Sequence, residues 1–307
     1  MSDIRGIFAP VGTTFDGDGN LDLQKYEENA RKFSQTGLAG LVILGSNGEF
    51  VMLNMKEKVT LVETARKAVS SSMKIIAGTG CESLRDTIEL TKRCAGAGAD
   101  AALVITPNFF KRDMNPQTLE KFFVAVADAS PMPIMLYNMP GNAGVNIPSS
   151  LSIALSDHPN IVGIKDSSGN IVQISEVIAK TRNKNFSVFA GSGSFLLPTL
   201  MLGGVGGTLA VANVVPEYCV AIYNAWNKGE IDKARELQLG LLELNAAVTA
   251  RFGIGGMKSA MEMAGYWGGN PRLPILPATE EVKNEIRRIY DEALALFSRV
   301  EGGECGC

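Results

Sequence analysis

Of 307 residues, 46% are hydrophobic and 20% are charged, which places the chain among globular proteins and excludes disordered and disulfide-dense classes. With 29 basic and 32 acidic residues the formal charge is −3, so the chain offers nucleic acid no polycationic footprint. The single histidine, His158 in the polar stretch SDHPN, excludes histidine-built metal centres and any Ser-His-Asp triad not centred on it.

Short apolar runs recur along the chain at Ile4–Ala9, Leu41–Leu44, Ile75–Ala77, Ala101–Ile105, Ile134–Tyr137, Ile161–Ile164, Val188–Ala190 and Thr208–Val211. They are continuous rather than alternating, as expected of parallel strands covered on both faces. Helical spacing fills the intervals. Leu23, Tyr26, Ala30 and Phe33 form the first face, stopped by Gly37. Asn54 and Glu57 predict a capping box ahead of Val59, Val62 and Val69. Ser83 and Asp86 open a third helix, with Leu84, Ile88, Thr91 and Ala95 expected on its buried face, and Asn115-Pro116 opens a fourth. Eight strand–helix units predict an α/β fold, a (β/α)8 TIM barrel over 1–229 with a C-terminal helical extension over 230–300 and a tail at 301–307. Extra helices are expected at 230–250, 255–265 and 279–298, the last capped by Thr279. A doubly wound open sheet is the alternative that alternation alone leaves open.

The five cysteines, Cys81, Cys94, Cys219, Cys305 and Cys307, are odd in number and mostly far apart, as reduced thiols of a cytoplasmic protein would be. The Cys305/Cys307 pair lacks the further ligands of a zinc site. Asp3, Arg5, Asp16, Asp18 and Asp22 interrupt the N-terminal region where a leader would need an apolar core. Residues 185–216 carry no charge, yet Pro198, Asn213 and the glycines at 203, 204, 206 and 207 fit two buried strands and a short helix better than one membrane span.

In such a barrel the reacting groups belong at the C-terminal ends of the strands. Lys165 closes the run Ile161–Ile164, where its ammonium would be partly desolvated, a setting that favours the neutral amine able to attack a carbonyl. A lysine paired with Asp166 or reaching out to solvent is the bland alternative. Tyr137 closes the preceding run and begins YNMPGNAG at 137–144; it is either a proton relay or a core ring with a wet hydroxyl. Gly45-Ser46-Asn47-Gly48-Glu49 follows the second run. Its N–H groups and side chains suit a small carboxylate, and the alternative is an ordinary turn with Glu49 bonded to local backbone. Glycine clusters at 78–80, 191–193 and 203–207 match no phosphate loop, and close packing explains them more economically.

With those residues placed, the chain resembles the dihydrodipicolinate synthase / N-acetylneuraminate lyase family of pyruvate-dependent class I aldolases. The likeness runs from about Ile4 to Leu296 through GSNGE at 45–49, TP at 106–107, YNMPGNAG at 137–144, GIKDSSG at 163–169 and AGS at 190–192. Within that family GCES at 80–83, HPNIVGIKDSSG at 158–169 and NAAVTARFGIGGMK at 245–258 are most similar to 4-hydroxy-2-oxoglutarate aldolases. The resemblance implies that Lys165 forms an imine with a 2-oxo acid and that Tyr137 relays protons. It further implies that Ser46 and Asn47 hold the carboxylate, that Ser167 lies near the distal part of the substrate, and that the Thr208 carbonyl faces the bound keto acid. No metal or other cofactor is implied, since the iminium is the electron sink; the expected partners are pyruvate and an aldehyde, in a homotetramer. Three departures stand out, the first two carrying weight. Asn142 stands where dihydrodipicolinate synthases usually have an arginine for the semialdehyde carboxylate, which exchanges an ionic clamp for a neutral amide. Phe109 stands where many relatives supply a tyrosine across a subunit interface, and Ala143 replaces a common threonine.

These residues lead to a carbon–carbon lyase cleaving a 4-hydroxy-2-oxo acid such as 4-hydroxy-2-oxoglutarate to pyruvate and an aldehyde. The alternatives are the same chemistry on aspartate semialdehyde, a deoxy sugar acid or N-acetylneuraminate, and a silent barrel that only binds a keto acid.

Overall fold

Eight parallel strands close into a barrel in chain order in the computed structural model, which describes residues 4–302. They are β1 (Gly6–Pro10), β2 (Gly40–Ile43), β3 (Lys74–Gly78), β4 (Ala101–Ile105), β5 (Ile134–Asn138), β6 (Ile161–Asp166), β7 (Ser187–Ala190) and β8 (Gly206–Thr208), with β8 paired back onto β1. Closure removes both sheet edges and excludes the open doubly wound sheet. The interior holds Phe8, Val42, Ile76, Leu103, Ile105, Met135, Tyr137 and Phe189. Outward-facing residues such as Ile75, Leu136 and Ile164 pack against the surrounding helices.

Those helices are α1 (Leu23–Phe33), α2 (Met55–Ala68), α3 (Leu84–Gly96), α4 (Pro116–Ala129), α5 (Pro140–Ala143), α6 (Ser149–Leu155), α7 (Ile171–Thr181), α8 (Leu196–Met201) and α9 (Pro216–Asn227). Their starts follow local chemistry. The Asn54 side chain accepts from the Glu57 N–H and the Glu57 carboxylate accepts from the Asn54 N–H, completing the expected capping box of α2. Ser83 caps α3 and Asn115 caps α4, with Pro116 in the first turn. Of the buried face expected for α3, Thr91 is buried and Ile88 and Ala95 pack half-buried against the core, and only Leu84, which is exposed, departs from it. Thr87, Leu90 and Cys94 also point inward. Thr91 reaches the buried Thr79 hydroxyl at 2.8 Å, and that bond ties the helix to the barrel.

The eighth strand also sits earlier than Thr208–Val211. Gly206 and Gly207 belong to it, because a Cβ at 206 would lie 2.0 Å from the Gly6 carbonyl oxygen and only glycine permits that approach to β1. Residues Ala210–Asn213 instead form a 3-10 turn, held by the Asn213 side chain, which donates to Pro10 O at 2.9 Å and accepts from Gly12 N at 3.1 Å.

Beyond α9 come α10 (Ile231–Gly240), α11 (Leu242–Ala246), a π-helical turn over Ala247–Arg251, α12 (Gly253–Met263) and α13 (Glu280–Glu301), which Thr279 caps. The helix expected over 230–250 is therefore broken, and the one expected over 255–265 begins and ends two residues earlier. This extension packs over the C-terminal mouth of the barrel. Asn245 of α11 accepts from Gly193 N at 3.1 Å and donates to the Ser194 hydroxyl at 2.7 Å, pinning the loop after β7. No helix among the described residues is long and apolar enough to cross a membrane. The Cys305/Cys307 pair lies outside the described residues.

Candidate active site

Lys165 and Tyr137 stand side by side because β5 and β6 pair in a particular register. Ile134 is opposite Ile161 but Met135 is opposite Gly163, so Val162 is an extra residue on β6. After that bulge the phase is set: Tyr137 pairs with Lys165, both facing the interior, and Asn138 pairs with Asp166, both facing out. The Lys165 ammonium lies 4.1 Å from the Tyr137 ring centroid, and the two side chains are 3% and 4% exposed.

Both bland readings of Lys165 fail on this geometry. It is too buried to reach bulk solvent, and Asp166 is occupied elsewhere. One Asp166 oxygen accepts from Asn138 Nδ2 and Gln173 Nε2, each at 2.9 Å, and the other accepts from Ser168 N at 2.8 Å. Asn146 extends this network, donating to Gln173 Oε1 and accepting from Asn138 Nδ2. A saturated polar cluster therefore backs the strand pair from outside, and no ion pair among the described residues uses Lys165.

Tyr137 receives the loops. Its hydroxyl lies 3.2 Å from Ser46 Oγ. Burial pushes the phenol's pKa up, but the Lys165 charge and hydrogen bonds with Ser46, Lys165 and Ser167 outweigh it and leave Tyr137 below the ordinary phenol range. Ser167 follows β6, with its N–H donating to Asn138 O at 2.8 Å. Room for its hydroxyl comes from Gly191, where a Cβ would sit 1.9 Å from Ser167 Oγ, so that glycine cluster answers to packing.

Ser46, Tyr137, Lys165 and Ser167 thus form one cluster. Asn47 adjoins it, but its amide points to Met257 Sδ at 3.0 Å. Thr208, buried at the end of β8 opposite Phe8, shares the same mouth without a hydrogen bond to Tyr137 or Lys165. The Ser46–Gly48 segment is a 3-10 turn, whose first N–H groups have no acceptor within the turn. Leu44, Gly45, Gly78, Gly80, Ile105 and Tyr137 line one cavity beside it.

Glu49 departs from the local-backbone alternative. Its Oε1 lies 2.8 Å from Lys258 Nζ of α12, both side chains being essentially inaccessible, and its Oε2 accepts from Arg272 N at 2.8 Å. Lys258 Nζ also donates to Thr13 O and Asn270 O, so its charge is fully engaged. Burial holds Lys258 below the ordinary lysine range, the Glu49 charge pulling it only partly back. The sequence alone does not single out Lys258. The available signal was a lysine inside the apolar face of Met257, Ala260 and Met261. Phe109 and Phe110 are 76% and 67% exposed, away from the cluster. The backbone N–H groups of Asn108 and Phe109 are anchored by Glu82.

The family model described as the dihydrodipicolinate synthetase family matches residues 3–293. A probable mitochondrial 4-hydroxy-2-oxoglutarate aldolase of Emericella nidulans is 34% identical, with 97% of each chain covered. An L-threo-3-deoxy-hexylosonate aldolase of Hypocrea jecorina is 38% identical over 95% of this chain and 96% of its own. Also 38% identical is a 4-hydroxy-tetrahydrodipicolinate synthase of Methanothrix thermoacetophila, over 93% and 95% of the two chains. Among solved structures, the dihydrodipicolinate synthase of Bacillus anthracis superposes with a TM-score of 0.90 at 30% identity, covering 95% of this chain and 99% of that one. The chain belongs to the dihydrodipicolinate synthetase family. It is a carbon–carbon lyase of the aldolase class.

Proposed function

We propose that this enzyme works through a Schiff base at Lys165 and cleaves a 4-hydroxy-2-oxo acid, with 4-hydroxy-2-oxoglutarate as the preferred candidate. The observation that carries the reading is a buried lysine with no carboxylate partner, set against a phenol held below its ordinary range. Lys165 Nζ attacks the C2 carbonyl, and the carbinolamine loses water to give an iminium. Tyr137 accepts the proton of the C4 hydroxyl. The C3–C4 bond breaks, its electron pair moving to the iminium, and an aldehyde leaves the resulting enamine. Protonation at C3 and addition of water release pyruvate and restore the amine. Ser46 and Asn47 hold the carboxylate, Thr208 offers its carbonyl, and Ser167 stands toward the distal end. The iminium takes up the electrons, so the reading calls for no metal or cofactor.

The substrate choice rests on the turn after β5. Asn142, exposed on α5, is neutral, which weighs against a reaction needing an arginine there. One positive charge does lie against that turn. Lys111 crosses Gly144 so closely that a Cβ there would sit 2.9 Å from its ammonium, and Lys111 has no ion pair among the described residues. Ala143, next to Gly144, packs with Tyr137 and Ile105 in the barrel interior, so Lys111 offers a charge to the second carboxylate of a diacid.

Pyruvate release from 4-hydroxy-2-oxoglutarate, a 3-deoxy-hexulosonate and N-acetylneuraminate, set beside condensation of pyruvate with aspartate semialdehyde, tests this. Preference for the diacid, weakened in Lys111→Met, is expected; dominant semialdehyde condensation would overturn the reading of Asn142. Bound pyruvate with no turnover of any substrate would favour the silent barrel. The reading includes a homotetramer, for which the exposed Phe109 and Phe110 supply apolar surface. Light scattering should give a mass near four chains. It also includes a cytoplasmic location, supported by the free thiols of Cys81, Cys94 and Cys219, although one relative is named mitochondrial.

A further inference from the structure

We infer that the buried Glu49–Lys258 ion pair positions the Ser46–Asn47 turn, so that the C-terminal helices complete the carboxylate subsite of the barrel. The inference rests on the reading of that turn given above.

Glu49 directly follows the turn and closes it, its N–H donating to Ser46 O at 3.1 Å. Moving Glu49 therefore moves Ser46, and with it the 3.2 Å contact to the Tyr137 hydroxyl. The backbone at this point is strained. Leu44 at φ +64° and Glu49 at φ +54° are the only left-handed residues other than glycine among those described, and they bracket the turn. Such conformations persist only where the surroundings over-determine them.

Lys258 supplies that constraint. Its ammonium meets Glu49 at 2.8 Å and donates to Thr13 O at 2.8 Å and to Asn270 O at 3.0 Å. The Thr13 hydroxyl in turn donates to Gly48 O at 2.6 Å, and Met257, the neighbour of Lys258, touches the Asn47 amide. One buried cation thus ties together the loop after β1, the turn after β2 and the segment after α12. Core filling alone does not call for two charges, since an apolar pair of similar volume is often as stable. What the charges add is a fixed place for the turn.

The test is borohydride trapping of pyruvate by the full chain, measured against pyruvate concentration. In Lys258→Met the half-saturating concentration should rise about 10–100-fold, with a smaller fall in the limiting trapping rate, since Lys165 keeps its place and Tyr137 loses only its Ser46 contact. Lys258→Arg, which keeps the charge, should recover much of the affinity. The double variant Glu49→Gln/Lys258→Met should regain thermal stability over the single variants without regaining affinity, which separates positioning from support of the fold. A folded Lys258→Met, or a folded double variant where the single one does not fold, with the parent's half-saturation would overturn the inference. If the parent traps no pyruvate, the Schiff-base reading fails by itself. A crystal structure of the double variant then decides: a displaced Ser46 upholds the positioning role, and an unmoved one overturns it.

Discussion

Lys165 and Lys258 are both buried at the mouth of this barrel, and each lies over an aromatic ring, Tyr137 at 4.1 Å and Phe15 at 4.7 Å. They differ in company. Lys258 has a carboxylate at 2.8 Å and two carbonyl acceptors, so its charge is committed. Lys165 has hydroxyl neighbours around a phenol, and the carboxylate next to it in sequence faces the other side of the strand. Burial alone therefore does not make a lysine reactive. On the proposed reading, the absence of a committed anion, together with a group able to move protons, is what sets Lys165 apart.

Lys165→Ala should lower kcat/KM by about 10⁴-fold or more while leaving the protein folded, as steady-state assays and circular dichroism would record. A folded variant with near-parental turnover would remove Lys165 from the chemistry. Tyr137→Phe should cost about 10²–10⁴-fold in kcat, because the ring still packs while the relayed proton has no carrier. Stability should run the opposite way. Lys258→Met strands the Glu49 charge and should cost about 3–5 kcal/mol in urea unfolding, whereas Lys165→Met strands none and should be neutral or stabilising. Equal losses in the two variants would erase the distinction. The smallest effect is spectroscopic. Burial raises the phenols of Tyr26, Tyr218, Tyr266 and Tyr290, while Tyr137 is lowered, so an alkaline absorbance titration should lose an early step in Tyr137→Phe.

The sequence was most legible where local rules act. The capping box at Asn54, the caps at Ser83, Asn115 and Thr279, and the run ending in Lys165 all reflect neighbours close in the chain. Ser46, Tyr137 and Lys165 could be nominated because strand ends in a barrel converge whatever their separation in sequence, whereas Ser167 came only from the family resemblance. Long-range side-chain bonds were not legible. The early end of β8 depends on Asn213 reaching Pro10 and Gly12 to hold the turn after it, and α3 is tied to the barrel where Thr91 meets Thr79. The Glu49–Lys258 pair spans the barrel and its extension, and neither residue's surroundings in sequence name the other. Likewise the bulge at Val162, which turns Lys165 inward, is a property of two strands together.

Incubation with pyruvate and borohydride, followed by peptide mapping in a mass spectrometer, tests the contrast between the two lysines most directly. A reduced pyruvyl adduct confined to Lys165, with Lys258 unmodified, is the predicted result. A folded protein carrying no adduct on Lys165, or carrying it on Lys258, would contradict the assignment.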